Sequence, residues 1–217
     1  MPNFFLKGRD PMSSFTHFIG AIGAILGTIL LAVVCLIQTP INLTKLFSCI
    51  VFGGSMIALY VASSHYHYVN TDAQRLLRLR KLDHAMIYVL IAGTYTPIAL
   101  CFMGKMHGII FTIVIWSIAL LGIVTKLLWF NAPRWLYTSL YLLMGWAIIF
   151  DIKVFNGMAA SCIALIAAGG ISYSIGAICY ICKKPNIGKW FGFHEIFHLF
   201  IMLGTLLHFC AVIFYIV

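Results

Sequence analysis

Residues 15–37 read FTHFIGAIGAILGTILLAVVCLI, a run of 23 positions in which only Thr16, His17 and Thr28 carry a side-chain oxygen or nitrogen. A helix of that length rises about 35 Å at 1.5 Å per residue, enough to cross about 30 Å of hydrocarbon. The run is too long for a signal-peptide core, which needs only about 7–15 apolar residues, and it lacks a small-x-small cleavage site, so it is predicted to be kept as a first membrane helix. Windows of the same kind recur between polar breaks. The spacing predicts seven spans at about 15–38, 45–69, 80–103, 108–129, 135–153, 157–181 and 191–216. The expected fold is all-α, a polytopic bundle of seven transmembrane helices, with residues 1–217 forming a single membrane domain and no room left for a soluble one.

Composition agrees. The chain is 63% hydrophobic and 9% charged, with mean hydropathy +1.04, whereas a soluble domain carries about 25% charged residues. A net charge of +9 would suggest nucleic acid in a soluble protein, but here the basic residues alternate loop by loop. One side gathers Lys7, Arg9, Arg75, Arg78, Arg80, Lys81, Lys126, Arg134, Lys183, Lys184 and Lys189; the other holds Lys45, Lys105 and Lys153. The positive-inside rule then places the N-terminus in the cytoplasm and the C-terminus outside, in the cell (plasma) membrane, with no nucleic-acid partner implied. The sequence leaves the oligomeric state open.

Small residues mark helix contacts. Gly20, Gly23 and Gly27 in the first span, and Gly169, Gly170, Ser172 and Gly176 in the sixth, form stripes that let backbones approach closely in lipid. Pro97 is predicted to kink the third span, with Thr94 or Thr96 satisfying a freed carbonyl. The seven cysteines lie almost wholly within spans, which argues against a disulfide framework. Cys179 and Cys182 have CxxC spacing but stand alone, and read first as filling of a helix interface.

Four polar residues share one layer of this apolar chain: His67, Asp83, His194 and His198. Ionisable groups inside spans cost roughly 2.5–3.5 kcal/mol each on insertion scales, so a cluster of them implies a function. His194 and His198 are four apart, on one face of a helix, and can grip one ion together. His67, at the cytoplasmic end of the second span, reaches the same depth if that helix continues past Tyr68 towards Asn70 or Thr71, leaving Asp72 to cap the third. Three neutral imidazoles with an open fourth position suit a catalytic zinc ion, Zn2+. Asp83 would then hold a water and take its proton, and Ser63, one turn before His67, would bind that water, Asp83 or a substrate carbonyl. His65 points away from the shared face, and His208 lies too deep to join the same ion. His17 reads either as a residue behind the ligands or as an interfacial anchor, and Asp151 with Lys153 as an interfacial ion pair.

The stretch 194–198 also satisfies H-E-x-x-H, in which Glu195 would be the base of an intramembrane metalloprotease. Such enzymes take a third ligand from a downstream Asp, and no Asp or Glu follows Glu195. Glu195 then reads as favouring a helix N-terminus.

With Ser63-Ser64-His65-Tyr66-His67 fitting S-x-x-x-H, Asp83-His84 leading to Ala92-Gly93-Thr94-Tyr95-Thr96-Pro97, and His194-Glu195-Ile196-Phe197-His198, the chain resembles the bacterial hemolysin III family, part of the progestin and adipoQ receptor (PAQR) group. The resemblance spans all seven segments. It implies a zinc ion on His67, His194 and His198, Asp83 and Ser63 beside it, and kinship to ceramidases that cleave lipid amides. Where the family often has Glu and Asn before the Thr-His pair, this chain has Asp10 and Ser13. The expected function is a zinc-dependent lipid amide or ester hydrolase, or a part in membrane lipid homeostasis, with a membrane lipid or fatty-acyl ligand in the bundle. A non-enzymatic lipid sensor with structural zinc is the alternative, and a cytolysin or channel has less support because no span carries a continuous charged stripe.

Overall fold

The computed structural model describes residues 1–129, 131–188 and 190–217, so Lys189 lies outside the described residues. Among them the chain is helical and forms no strand. Seven α-helices follow in order: α1 Pro11–Ile37, α2 Leu43–Tyr68, α3 Ala73–Phe102, α4 Lys105–Leu128, α5 Arg134–Gly145, α6 Ala160–Cys182 and α7 Phe193–Tyr215. All but α5 are long and apolar enough to cross a membrane, six in total. Large apolar side chains cover the outside of α1, among them Ile22, Leu26, Ile29 and Val33, and the outside of α4, among them Ile113, Leu120 and Leu121. Water does not tolerate apolar surface on that scale in a monomer. The chain is a multi-pass membrane protein.

Local signals set the ends. Asp72 caps α3 as expected, its Oδ1 accepting the Arg75 amide at 2.9 Å, so α3 starts well before the apolar part of its span and carries the Arg75, Arg78, Arg80 and Lys81 run as a helical extension. By contrast α2 stops at Tyr68 instead of continuing to Asn70 or Thr71. The N-terminal segment takes the place of another turn: the Arg9 and Asp10 amides donate to the Tyr68 and His67 carbonyls at 3.2 and 2.9 Å. Phe5 is buried behind them against Phe15, Phe18 and Tyr68.

The expected fifth span, 135–153, is helical only to Gly145, after which two 3-10 segments, Ala147–Phe150 and Ile152–Gly157, lead to α6. A residue of α3 accounts for the break. The Tyr95 hydroxyl donates to the Gly145 carbonyl at 2.5 Å and accepts the Ile148 amide at 3.3 Å, replacing partners that a continuous helix would have supplied. Pro97 sits inside α3, but Thr94 and Thr96 donate to Leu90 and Ala92 and not to Gly93, the residue whose carbonyl the proline leaves without its usual partner.

The helices close into a ring. α1 packs on α2 and α7, α3 on α2 and α4, α6 on α7 and α5, and α5 returns to α3 and α4. The small-residue stripes lie at these seams: Gly20 faces Tyr60, Gly27 faces Phe209, and Gly176 faces Phe200, whereas Gly23 faces open space. The tightest approach to backbone is at Gly108 in α4, where an added Cβ would collide with the Ala99 carbonyl of α3. Backbone cannot swing aside like the tip of a side chain. Gly108→Ala is therefore expected to destabilise the protein by about 1–3 kcal/mol, the cost of overpacking; a thermal unfolding midpoint equal to wild type would contradict this contact.

Candidate metal centre

α2 ends and α7 begins at the same depth, and this brings three imidazoles face to face. His67 Nε2 and His194 Nε2 are 3.1 Å apart, the His194 and His198 ring centroids are 4.6 Å apart, and those of His67 and His198 5.2 Å. One ring nitrogen from each of His67, His194 and His198 lies within 4.8 Å of the others, an arrangement able to hold a metal ion. Two nitrogens on a tetrahedral ion with bonds of 2.0–2.1 Å stand about 3.3–3.4 Å apart, so the observed spacing needs only small ring movements.

The rings are also oriented. His67 Nδ1 donates to Asp10 Oδ2 at 3.0 Å, leaving Nε2 as a bare acceptor. His198 Nδ1 meets Thr16 Oγ1 at 3.4 Å, and Thr16 gives its own hydrogen to the Ser13 carbonyl at 3.0 Å, so the imidazole is the donor and its Nε2 is likewise free. Carboxylate and hydroxyl partners of this kind fix the tautomer and raise the basicity of a ligating histidine. Partial burial works to raise the Asp10 pKa, but the hydrogen bonds from His67 and Arg9 prevail and hold it down to about 2.

Asp10, which the sequence placed before the Thr16-His17 pair without a role, is the residue that touches a candidate ligand from outside the cluster. Standing just before a helix with Pro11 at its first position, it reads as an N-cap, yet its side chain makes no cap hydrogen bond. Both of its carboxylate ties, to Arg9 at 2.7 Å and to His67, exist because the N-terminal segment folds over the end of α2.

Asp83 and Ser63 line one cavity of about 100 Å³ together with His194 and His198. Both are buried, and Ser63 lies beside the Asp83 carboxyl. The remainder of that wall is mainly apolar and aromatic, including Tyr137, Tyr141 and Trp146. His65 is exposed. His17 is not at the interface: it is buried, its ring stacked on His198 with centroids 3.6 Å apart, outside the three-histidine group.

Glu195 is committed elsewhere. Its Oε2 accepts the Gly192 amide at 2.9 Å and its Oε1 accepts the Ser13 hydroxyl at 2.7 Å, so it caps α7 and ties it to α1. Both of its oxygens are thus engaged in structural hydrogen bonds, which argues against the part of a zincin-type base. Asp151 pairs with His107 at 2.6 Å, not with Lys153 as the sequence suggested. All seven cysteines are free thiols, and neither Cys179 nor Cys182 approaches the three-histidine group.

Comparison with known proteins points one way. The family model described as "Haemolysin-III related" matches residues 5–209. The chain is 37% identical over 166 residues to the "Hemolysin-3 homolog" of Bacillus subtilis (strain 168), covering 76% of this chain and 75% of that protein. It is 34% identical over 214 residues to "Hemolysin-3" of Bacillus cereus, covering 98% of this chain and 93% of that protein.

Proposed function

The chain belongs to the haemolysin-III related family, and from that premise and the histidine geometry we propose that it is a zinc-dependent hydrolase of lipid amides or esters. The observation that carries this reading is the shared cavity: two of the three imidazoles, a buried carboxyl and a buried hydroxyl meet at the polar end of an otherwise apolar space. In a membrane, such a space selects for an acyl chain with a carbonyl at one end.

His67, His194 and His198 would hold the ion, each through one ring nitrogen, with the ion taking the place of the His67–His194 contact. Zinc bound there supplies Lewis acidity towards a carbonyl oxygen and acidifies water. Asp83 accepts the proton of the attacking water and returns it to the leaving nitrogen or oxygen, and Ser63 steers the Asp83 carboxyl by hydrogen bonding. Asp10 keeps the His67 ring in place. Asp10→Asn is expected to weaken zinc binding about 10–100-fold, the usual cost of losing such a partner. Unchanged affinity in a zinc titration would exclude that role. Since the ligand nitrogens must be unprotonated, acidification is expected to weaken the binding of the ion.

In this reading the topology has seven crossings with a cytoplasmic N-terminus. α5 and the two 3-10 segments after it, Arg134 to Gly157, form the shortest crossing, and the loops with most Lys and Arg face the cytoplasm. The metal then lies near the inner face.

Purified protein loaded with zinc should release fatty acid from at least one ceramide-like or N-acyl lipid, measured by mass spectrometry, and should release no trapped dye from liposomes at low protein-to-lipid ratio. No turnover on a broad panel of such lipids would reject the hydrolase reading. One observation favours a second reading, a lipid sensor in which the ion is a strut: the histidines join α2 to α7, two helices that both pack on α1 but have little direct contact with each other. That reading expects lipid binding without hydrolysis and a loss of stability on chelation.

A further inference from the structure

A second cavity of about 90 Å³ continues from the first, sharing with it Ile91, Gly145, Trp146, Gly170 and Tyr173. At its end is His208, 14 residues beyond His194 and so about 21 Å further along α7. The site is built by a close crossing of α6 and α7. A Cβ on Gly169 would strike the His208 ring, and a Cβ on Gly204 would strike the Tyr173 ring, so both rings fit only because these positions are glycine. His208 and Tyr173 lie parallel, 10° between planes and 5.4 Å between centroids.

The hydrogen-bond inventory of this cavity is one-sided. Its donors are all engaged: Thr94 gives to Leu90 at 2.8 Å, Tyr95 to Gly145, and Trp146 Nε1 to Ser174 at 2.9 Å. Thr205 gives its hydrogen to the Ile201 carbonyl at 2.9 Å, so the Tyr173 hydroxyl, 3.0 Å away, must donate to Thr205. His208 Nδ1 stands 2.8 Å from the Gly204 carbonyl, which accepts only, so the ring proton is on Nδ1 and Nε2 is a bare acceptor. No described residue donates to that nitrogen. His208 is only 7% exposed and lines the cavity. An acceptor in an apolar wall with no donor from the protein favours a ligand that brings one.

We propose that the deep end of the cavity is a binding subsite for a hydroxyl carried on a lipid chain, which donates to His208 Nε2. The inference rests on the reading that the first cavity receives an acyl chain. It adds a specificity: among chains of equal length, one with a hydroxyl far from its head group is preferred. An apolar cavity of this width otherwise discriminates poorly between chains, whereas an unpaired polar group discriminates strongly.

Competition against a brominated stearic acid that quenches tryptophan fluorescence tests this, because Trp146 lines both cavities. Full-length zinc-loaded protein is titrated with stearic acid and with monohydroxylated stearic acids whose hydroxyl is moved along the chain. A window of distal positions is expected to bind about fivefold to tenfold tighter than stearic acid, the worth of one net hydrogen bond. His208→Phe, which keeps a ring against Tyr173, should abolish the preference for a distal hydroxyl over plain stearic acid, and His208→Gln, which retains an acceptor, should keep part of it. Equal binding of all the acids by wild type, or a preference that survives His208→Phe, overturns the subsite but not the acyl cavity. No binding of stearic acid at all overturns both.

Discussion

His198→Ala is expected to leave the purified protein with essentially no zinc where wild type retains about one ion per chain, and His194→Ala to do the same. Both residues stand on one face of α7, and removing either leaves two nitrogens, too few for a tetrahedral ion that needs three protein ligands even in an open site. The loss of affinity should exceed the 10–100-fold expected for Asp10→Asn, since a ligand is removed and not the group that orients one. Stability should follow. An ion present at 1,000 times its dissociation constant contributes about 4 kcal/mol, which in a chain of this size corresponds to a melting temperature lower by on the order of 10 °C. His198 is buried and touches His17, so its truncation also leaves a cavity. His65→Ala provides the control: an exposed histidine two residues from a ligand should change neither zinc content nor stability. A wild-type zinc content in His198→Ala would remove this residue from the ligand set.

Asp83→Asn carries the second large effect. The change keeps the shape of the side chain and the approach of Ser63 but removes the ability to accept a proton. Lipid hydrolysis is expected to fall by about 10²–10⁴-fold, the usual contribution of a positioned base, with zinc content unchanged. That separation matters, because it distinguishes loss of a base from loss of the metal. Ser63→Ala should reduce the rate less, as it only steers the Asp83 carboxyl. Full activity in Asp83→Asn would assign the proton transfer to another group. In the strut reading no hydrolysis exists to lose, and Asp83→Asn would act on stability alone.

Much of this arrangement was legible in the sequence because it depends on periodicity and depth. The long apolar runs specify six of the helices, His194 and His198 are neighbours by helical spacing, and Asp72 meets the Arg75 amide three residues on. Each of these is settled within a few residues of chain. The features that were not legible depend on side chains from distant segments. α5 ends at Gly145 because a tyrosine 50 residues earlier reaches its carbonyl. Asp10 leaves its helix to hold His67, 57 residues away, and Asp151 finds His107 although Lys153 is closer in sequence. The early end of α2 has the same origin, since the N-terminal segment and not a further turn receives its last carbonyls. Helical periodicity carries no information on which of several polar groups a folded-back segment will meet.

The ligand set itself can be measured through X-ray absorption at the zinc edge on purified wild-type protein. Three imidazole nitrogens at about 2.0–2.1 Å, with imidazole outer-shell scattering that is lost together with the metal in His198→Ala, are the expected result. A shell containing sulfur at about 2.3 Å, which would point to the free cysteines, or no bound transition metal in protein purified without chelators, would contradict a cation held between α2 and α7.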